Sequence, residues 1–286
     1  MAIDINRNSG FDIPAAVSTD IIQKTLENSA VMQLARQVEL PGNGVAIPVV
    51  TGDADAAWVG ETEQKGVKNA TVSTKTLRPY KMAVVEPFSN EFTRDASALY
   101  SALVARLPYA LATLFDNTIV GGATVPGSDF DTLDSSNAVD IKSDTYGGLV
   151  NADTAIAGNG YTMNGVALSP QGRGILLAAV DSTKRPLFVN NVSEGAIPRV
   201  LGVPVYQNKG VYKADTNAPT VGVAGDWTQA VFGTVNGIEV AVSDQASLTL
   251  ADGKTVNLWQ NNMVAVRCEM EVGFRCDTSA FIKLTA

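Results

Sequence analysis

Leu99, Leu103, Leu107, Leu111 and Leu114 recur every three or four residues through the stretch from 89 to 122, the spacing that lines side chains along one face of a helix. Thr93 or Asp95 offers a cap for its start, and Gly121-Gly122 a stop. A helix over residues 95–119 would be about 37 Å long, well beyond the average globular helix of about three turns. Pro108 falls inside it and costs about 3 kcal/mol, or kinks the helix, unless packing compensates. Nearer the start, Ile21, Ile22, Leu26, Ala30, Val31 and Leu34 form a second stripe. It predicts a helix from Ser18 or Thr19, either one its cap, to about Val38. Pro41-Gly42-Asn43-Gly44 then breaks the chain.

Strand patterns occupy most of the rest. Residues 45–50 (VAIPVV) and 76–88 (TLRPYKMAVVEPF) read as strands. Between them, residues 61–76 are polar on both faces of any strand they form. A hairpin with no apolar face is marginal in water, so the segment is either a loop without fixed structure or is held by another subunit. Val and Thr alternating through 71–76, where a loose loop would carry Gly and Ser, favours the second reading. Residues 123–160 are rich in Gly, Ser, Asp and Asn, with a short helix near 147–157. Residues 165–170 (GVALSP) predict a strand running into a helix over 171–182, a unit ended by Pro186, and 201–208 and 220–227 predict two more strands. Alternating strand and helix makes a compact α/β or α+β unit of 123–235. Finally, Val264, Val266, Cys268, Met270 and Val272 alternate with Ala265, Arg267, Glu269 and Glu271, a strand with one apolar and one charged face. The same parity continues through Phe274 and Cys276, then Ala280, Ile282 and Leu284.

Composition narrows the function more than the fold. The 286 residues carry a net charge of −8 and no long basic block, so the phosphate-gripping patch of a nucleic-acid binder is missing. Histidine is absent, which removes Ser-His and Cys-His nucleophile pairs and most mixed zinc sites. Cys268 and Cys276 stand eight apart without metal-ligand spacing and read as two buried, reduced thiols. No phosphate-binding loop is present, and no candidate constellation for an enzyme emerges. No apolar run reaches the 18 or so residues of a membrane span, and residues 1–14 lack the pattern of a secretory signal, so the expected location is the cytoplasm of the cell that makes the chain. Residues 1–18 read as an extended arm that takes up structure only when something binds it.

Taken in order, several short segments resemble the major capsid protein family of tailed bacteriophages, the HK97-type fold. Residues 56–64 (AAWVGETEQ) are similar to the opening of that family's extended loop, and 84–97 (VVEPFSNEFTRDAS) to the approach to its long spine helix. Residues 115–122 (FDNTIVGG) resemble the end of that helix, and 201–205, 225–227 and 261–286 the remaining stretches. The resemblance covers nearly everything beyond residue 14. It implies an α+β fold with an N-terminal arm and its short helix (1–40), an extended β-hairpin loop with flanking strands (41–88) and a spine helix in a peripheral domain (89–122). An axial domain (123–235), peripheral-domain strands (236–272) and a C-terminal strand returning to the axial domain (273–286) complete the layout. The implied function is self-assembly, through hexamers and pentamers, into an icosahedral virion shell around double-stranded DNA, without sequence-specific DNA binding, membrane or cofactor. Trp58, Glu61, Glu63 and Lys65 are the expected extended-loop contacts to neighbouring subunits. With Met1 only a few residues ahead of the arm helix, the resemblance points to a separate scaffolding protein or a processed subunit, with portal and decoration proteins as further partners. The rival reading is an encapsulin-like nanocompartment shell, related in fold but filled with protein cargo.

One piece of chemistry comes with the resemblance. Some members join subunits through an isopeptide bond between a loop lysine and an asparagine, helped by a glutamate. Lys68, with Lys65 as the second choice, falls near the lysine position, and Asn262 and Glu269 near the other two. Glu269 would take a proton from the ammonium, the free amine would attack the Asn262 amide, and ammonia would leave. The ordinary reading makes Lys68 a solvated charge, Asn262 a turn residue and Glu269 a salt-bridge partner. Asn262 and Glu269 also have opposite strand parity unless the strand begins after Asn262.

Overall fold

The computed structural model describes residues 23–50, 72–90, 96–181, 183–188, 199–250 and 253–286. The arm before residue 23 and the tip of the extended loop, 51–71, lie outside these.

In chain order, residues 23–28 are helical (α1), followed by α2 (Ala30–Leu34), β1 (Arg36–Glu39), β2 (Val45–Val50), β3 (Val72–Leu77), β4 (Tyr80–Ser89) and the long α3 (Ala96–Ile119). Then come β5 (Asn137–Asp140), α4 (Thr145–Gly158), β6 (Gly165–Leu168), α5 (Pro170–Ala178), β7 (Arg199–Val200), β8 (Val203–Gln207) and β9 (Thr220–Gly225). The chain ends with β10 (Ala230–Ser243), β11 (Ser247–Thr249), β12 (Thr255–Asn257), β13 (Met263–Cys276) and β14 (Phe281–Thr285). The larger sheets are six-stranded, in the order β5-β14-β9-β6-β8-β7, and four-stranded, β1-β10-β13-β4; β2-β3 and β11-β12 form separate ribbons. The architecture is α+β.

The long helix forms where the leucine pattern predicts, and it continues through Pro108. Its buried face, however, is Leu107, Leu111, Phe115 and Ile119, while Leu114 is 41 % exposed. Counting leucines alone bends the stripe off the core, because an apolar Phe at 115 continues the four-residue step that Leu114 interrupts. Phe115 meets Phe130, Phe232 and Phe274 edge-on, with ring centroids 6.1–6.3 Å apart, the arrangement aromatic quadrupoles favour. The helix stops at Gly121, whose φ of +80° suits a residue without Cβ. There the Gly122 N–H donates back to the Asn117 carbonyl at 2.8 Å, closing the last turn.

The N-terminal helix departs from expectation. Instead of one helix running to about Val38, the chain breaks at Ser29, resumes as α2 and turns to strand at Arg36. Two things win over helical periodicity. Ser29 caps α2, its hydroxyl oxygen accepting from the Met32 N–H. Residues 36–39 then pair in parallel with Val231–Thr234 of β10, and ladder bonds to an existing sheet outweigh a further turn of marginal helix.

In β13 the predicted alternation holds: Val264, Val266, Cys268, Met270, Val272, Phe274 and Cys276 are buried, and Arg267 is exposed. Parity does not carry into the last strand without interruption, since a 3₁₀ turn at Thr278–Ala280 intervenes. Phe281, Ile282, Leu284 and Thr285 are all buried, as fits a strand flanked by β5 and β9 and covered on both faces. Trp227, in the link from β9 to β10, packs on the six-stranded sheet. Its indole N–H donates to the Gly165 carbonyl at 2.9 Å and its ring meets Phe281 at 5.0 Å. A side chain at Gly165 would collide with Leu34 and Trp227, so only glycine lets the arm and this tryptophan share the site.

Truncating Phe115 to Ala is expected to destabilise the isolated chain by about 3–5 kcal/mol, measured by urea unfolding. Leu114→Ala should fall within about 0.5 kcal/mol of wild type. Equal losses would show that the buried face is not the one described.

Candidate functional site

Two features stand out among the described residues: the footing of a projecting ribbon, and a buried joint at the N-terminal helices. The root of the extended hairpin is the first. β2 and β3 pair antiparallel from Val45↔Leu77 to Val50↔Val72 and form a ladder with no other strand among the described residues. Leu77 is fully buried and packs with Leu40 and Val231.

Around that plug lies a cluster of charges. The Arg275 guanidinium donates to Asp131 Oδ1 and Asp129 Oδ1, both at 2.7 Å, and to the Thr76 carbonyl at 2.8 Å. Lys75 Nζ reaches Asp131 Oδ2 at 3.2 Å and the Cys276 carbonyl at 2.9 Å, and the Cys276 N–H donates to Asp131 Oδ2 at 3.2 Å. Arg78 adds a longer contact of 3.6 Å to Asp129. Hairpin, β13 and the loop after α3 are thereby tied together through one side chain that is only 12 % exposed. The planar fork of arginine can satisfy three acceptors at fixed angles where a lysine could not. This clamp was not legible in the sequence: Asp129, Asp131 and Arg275 lie about 145 positions apart, and only the register of β13 brings them together.

The second feature is the joint between the N-terminal helices and α3. Asp116 is fully buried. Its carboxylate accepts from the Ser29 hydroxyl at 2.6 Å, the Ala30 N–H at 2.9 Å and the Val31 N–H at 3.3 Å, so a residue of α3 caps the N-terminus of α2. Asn208 strengthens the joint, its Nδ2 donating to the Asn28 carbonyl at 2.7 Å. Burial pushes the Asp116 carboxyl up to about 7, against the smaller opposing pull of its three hydrogen bonds. The one charged residue between Arg106 and Asp129 was the available signal.

Of the crosslink candidates, Lys68 and Lys65 lie outside the described residues, as do Trp58, Glu61 and Glu63. Asn262 sits just before β13, exposed and in the left-handed region at φ 52°, so the strand begins after it and parity does not bear on it. Its Oδ1 accepts from Asn90 Nδ2 at 3.0 Å, and its carbonyl from the Asn90 N–H at 2.9 Å. Glu269 faces Lys81 at 3.0 Å and Arg267 at 3.1 Å; the hydrogen bond and charge of Glu269 raise the Lys81 ammonium. Asn262 and Glu269 are seven positions apart along extended chain, about 23 Å at 3.3 Å per residue, and one chain does not bring them together. The two thiols are free and buried. Burial pushes Cys268 up to about 12 and raises Cys276 as well, which makes both poor nucleophiles.

Trp259 drew no attention in the sequence, yet it is 74 % exposed in the turn between β12 and β13. That turn is stiffened by Asn257, which accepts from the Gln260 N–H at 3.1 Å and, through its carbonyl, from Asn261 Nδ2 at 2.7 Å. Among the described residues no group of three or more potential metal ligands occurs, and no helix is long and apolar enough to cross a membrane.

Comparison with known proteins gives a consistent set of matches. The family model described as "Phage capsid family" matches residues 9–286. A probable major capsid protein of Mycobacterium phage L5 is 32 % identical over 273 residues, covering 90 % of this chain and 84 % of the relative. The corresponding protein of Mycobacterium phage D29 is 31 % identical over 285 residues, covering 93 % and 87 %. Among solved structures, one from Mycobacterium phage Ogopogo superimposes with a TM-score of 0.71 at 19 % identity, covering 90 % of this chain and 92 % of that one, a likeness of fold.

Arg275→Met should leave Asp129 and Asp131 without their shared cation and cost about 3 kcal/mol. Lys75→Met, at a side chain 39 % exposed, should cost less than about 1 kcal/mol. Denaturant unfolding measures both, and limited proteolysis should cut the hairpin of the Arg275 variant before that of wild type.

Proposed function

The chain belongs to the phage capsid family, and on that footing we propose that its copies build the closed head shell of a tailed phage by laying each extended hairpin against a neighbour. It is a major capsid protein and a component of the virion. The observation that carries the hairpin reading is the contrast at its root. A two-stranded ribbon that is marginal in isolation springs from a buried leucine and an arginine clamp. Firm anchorage of a ribbon with no sheet to join suits one completed by another chain, by strand addition or side-chain contact. Trp58, Glu61, Glu63 and Lys65 are the proposed contacts within it.

In this reading the six-stranded unit is the axial domain around the capsomer axis, and α3 with the four-stranded sheet is the peripheral domain. Identical interfaces repeated by rotation close into hexamers and pentamers. The net charge of −8 supports a wall that encloses DNA without gripping it. Assembly takes place in the host cytoplasm with a separate scaffolding protein, a portal and decoration proteins as partners.

The crosslink becomes a proposal strictly between copies, because the amide of Asn262 and the carboxylate of Glu269 must come from different chains. Glu269 is neutralised by two cations in its own chain, so the non-covalent outcome is expected. Electron microscopy of purified protein should show closed shells or six- and five-fold rings; a uniform monomer, even with a scaffold co-expressed, would overturn the shell reading. A denaturing gel of the same particles should give one band near 30 kDa. A ladder would instead assign the bond to Lys68 or Lys65, and Lys→Arg at the reacting position would abolish it.

A further inference from the structure

Asp116 is a wholly enclosed carboxyl whose partners are one hydroxyl and two backbone N–H groups. The titratable groups on the elements packed around it are engaged or turned elsewhere. Lys24 and Glu27 on α1 and Arg36 after α2 are exposed. Lys209, in the 3₁₀ turn against α3, lies over the Tyr109 ring at 4.7 Å. Arg106 on α3 is bound to Glu86 at 2.8 Å, and Tyr206 on β8 is half-buried in the core. Among the described residues no cation offsets the burial of the Asp116 charge.

We propose that Asp116 and Ser29 share a proton and act as a pH-operated latch fastening the N-terminal helices to α3. The geometry accommodates both protonation states. With Asp116 ionised, the Ser29 hydroxyl donates to Oδ1 while its oxygen accepts from the Met32 N–H at 3.0 Å. With Asp116 protonated, the carboxyl O–H donates to Ser29 Oγ across the same 2.6 Å. The Ser29 hydroxyl hydrogen must then turn away from Asp116, and a rotation of the side chain toward the Thr25 carbonyl, four residues back, which accepts the Ser29 N–H at 3.1 Å, would give it an acceptor. The Ala30 and Val31 N–H groups keep their acceptors throughout. The carboxyl therefore takes up a proton without dismantling the cap.

The direction of the switch follows from linkage. With the latch open, Asp116 meets water and titrates near the ordinary value of about 4; with it closed, burial holds the proton up to about 7. The closed state binds the proton more tightly, so closure strengthens as pH falls, by up to about tenfold per pH unit between those limits. That advantage is complete below about 4 and is lost as pH rises through about 7. The latch is a property of one chain and stands or falls apart from the shell reading.

Hydrogen exchange of the full chain, corrected for the intrinsic pH dependence of exchange, tests this at the amides of Ala30, Val31 and Met32. In wild type their protection should fall at least tenfold from about pH 5 to about pH 8 and then level off. Asp116→Asn removes the titrating group: its Nδ2 can donate to Ser29 and its oxygen can accept the Ala30 N–H, while the Val31 N–H loses its acceptor. Its protection should therefore be independent of pH, whatever its level. A slope unchanged in Asp116→Asn, or no slope in wild type, overturns the latch. Should that variant fail to fold, infrared spectroscopy of wild type decides: a protonated-carboxyl band persisting at pH 6 supports the latch, and its disappearance by pH 5 rules it out.

Discussion

β13 is hydrogen-bonded on both sides along most of its length, to β10 from Ala230↔Cys276 to Ser243↔Ala265 and to β4 from Tyr80↔Val272 to Ser89↔Met263. A strand paired on both edges cannot slip by one residue without turning every side chain to the opposite face. Register in β13 therefore places Phe274 under α3 and Cys276 in the core, while Arg275, between them, points the other way into the clamp at the hairpin root. The single irregularity, between Val235 and Glu239, lies on β10, where a bulge can absorb strand curvature without disturbing β13. The core and the anchorage of the projecting ribbon thus rest on one register.

Against this apolar frame, the two buried polar assemblies behave differently. Arg275 and Lys75 together balance Asp129 and Asp131 and satisfy several strong acceptors, so the desolvation cost is offset locally. Asp116 is not balanced by a cation. It is tolerated because two backbone N–H groups at the start of α2 and one hydroxyl point at it, the kind of anion site a helix terminus provides. The first is held by opposite charges, whereas in the second burial pushes the carboxyl up to about 7. That difference falls between the part of the molecule that fixes the hairpin and the part that fixes the N-terminal helices.

How much was legible in the sequence follows the range of the interaction that decides each element. α3, β6 running into α5, β8, β9 and the alternation of β13 were all readable, since periodicity and turn residues within a dozen positions determine them. Three features were not. The helix expected to reach Val38 was cut short by Asp116, 87 positions from Ser29, and by parallel pairing with β10. The inward face of α3 was misplaced at Leu114 because three phenylalanines from distant strands and loops select Phe115 instead. The Arg275 clamp joins residues that no local pattern connects. As for the crosslink candidates, their order along the chain was readable, but their separation in space depends on β13 being straight and continuous from Met263.

On the proposed reading, the polar segment 61–76 beyond the firmly held root constrains how copies can associate. An apolar segment there would bury itself against its own subunit or aggregate through open edges. A polar one gains little from intramolecular collapse and suits a partner offering matched hydrogen bonds and charges. Such contacts are individually weak and screened by salt, which permits misplaced copies to dissociate before a shell closes. Strength then comes from repetition, because each copy in a closed assembly is held through several neighbours at once and detachment must break all of its contacts together. The stiffness of the root matters for the same reason. A ribbon swinging freely on its base would forfeit much of each contact to ordering entropy, and the clamp of Arg275 on Thr76 removes that freedom before assembly begins.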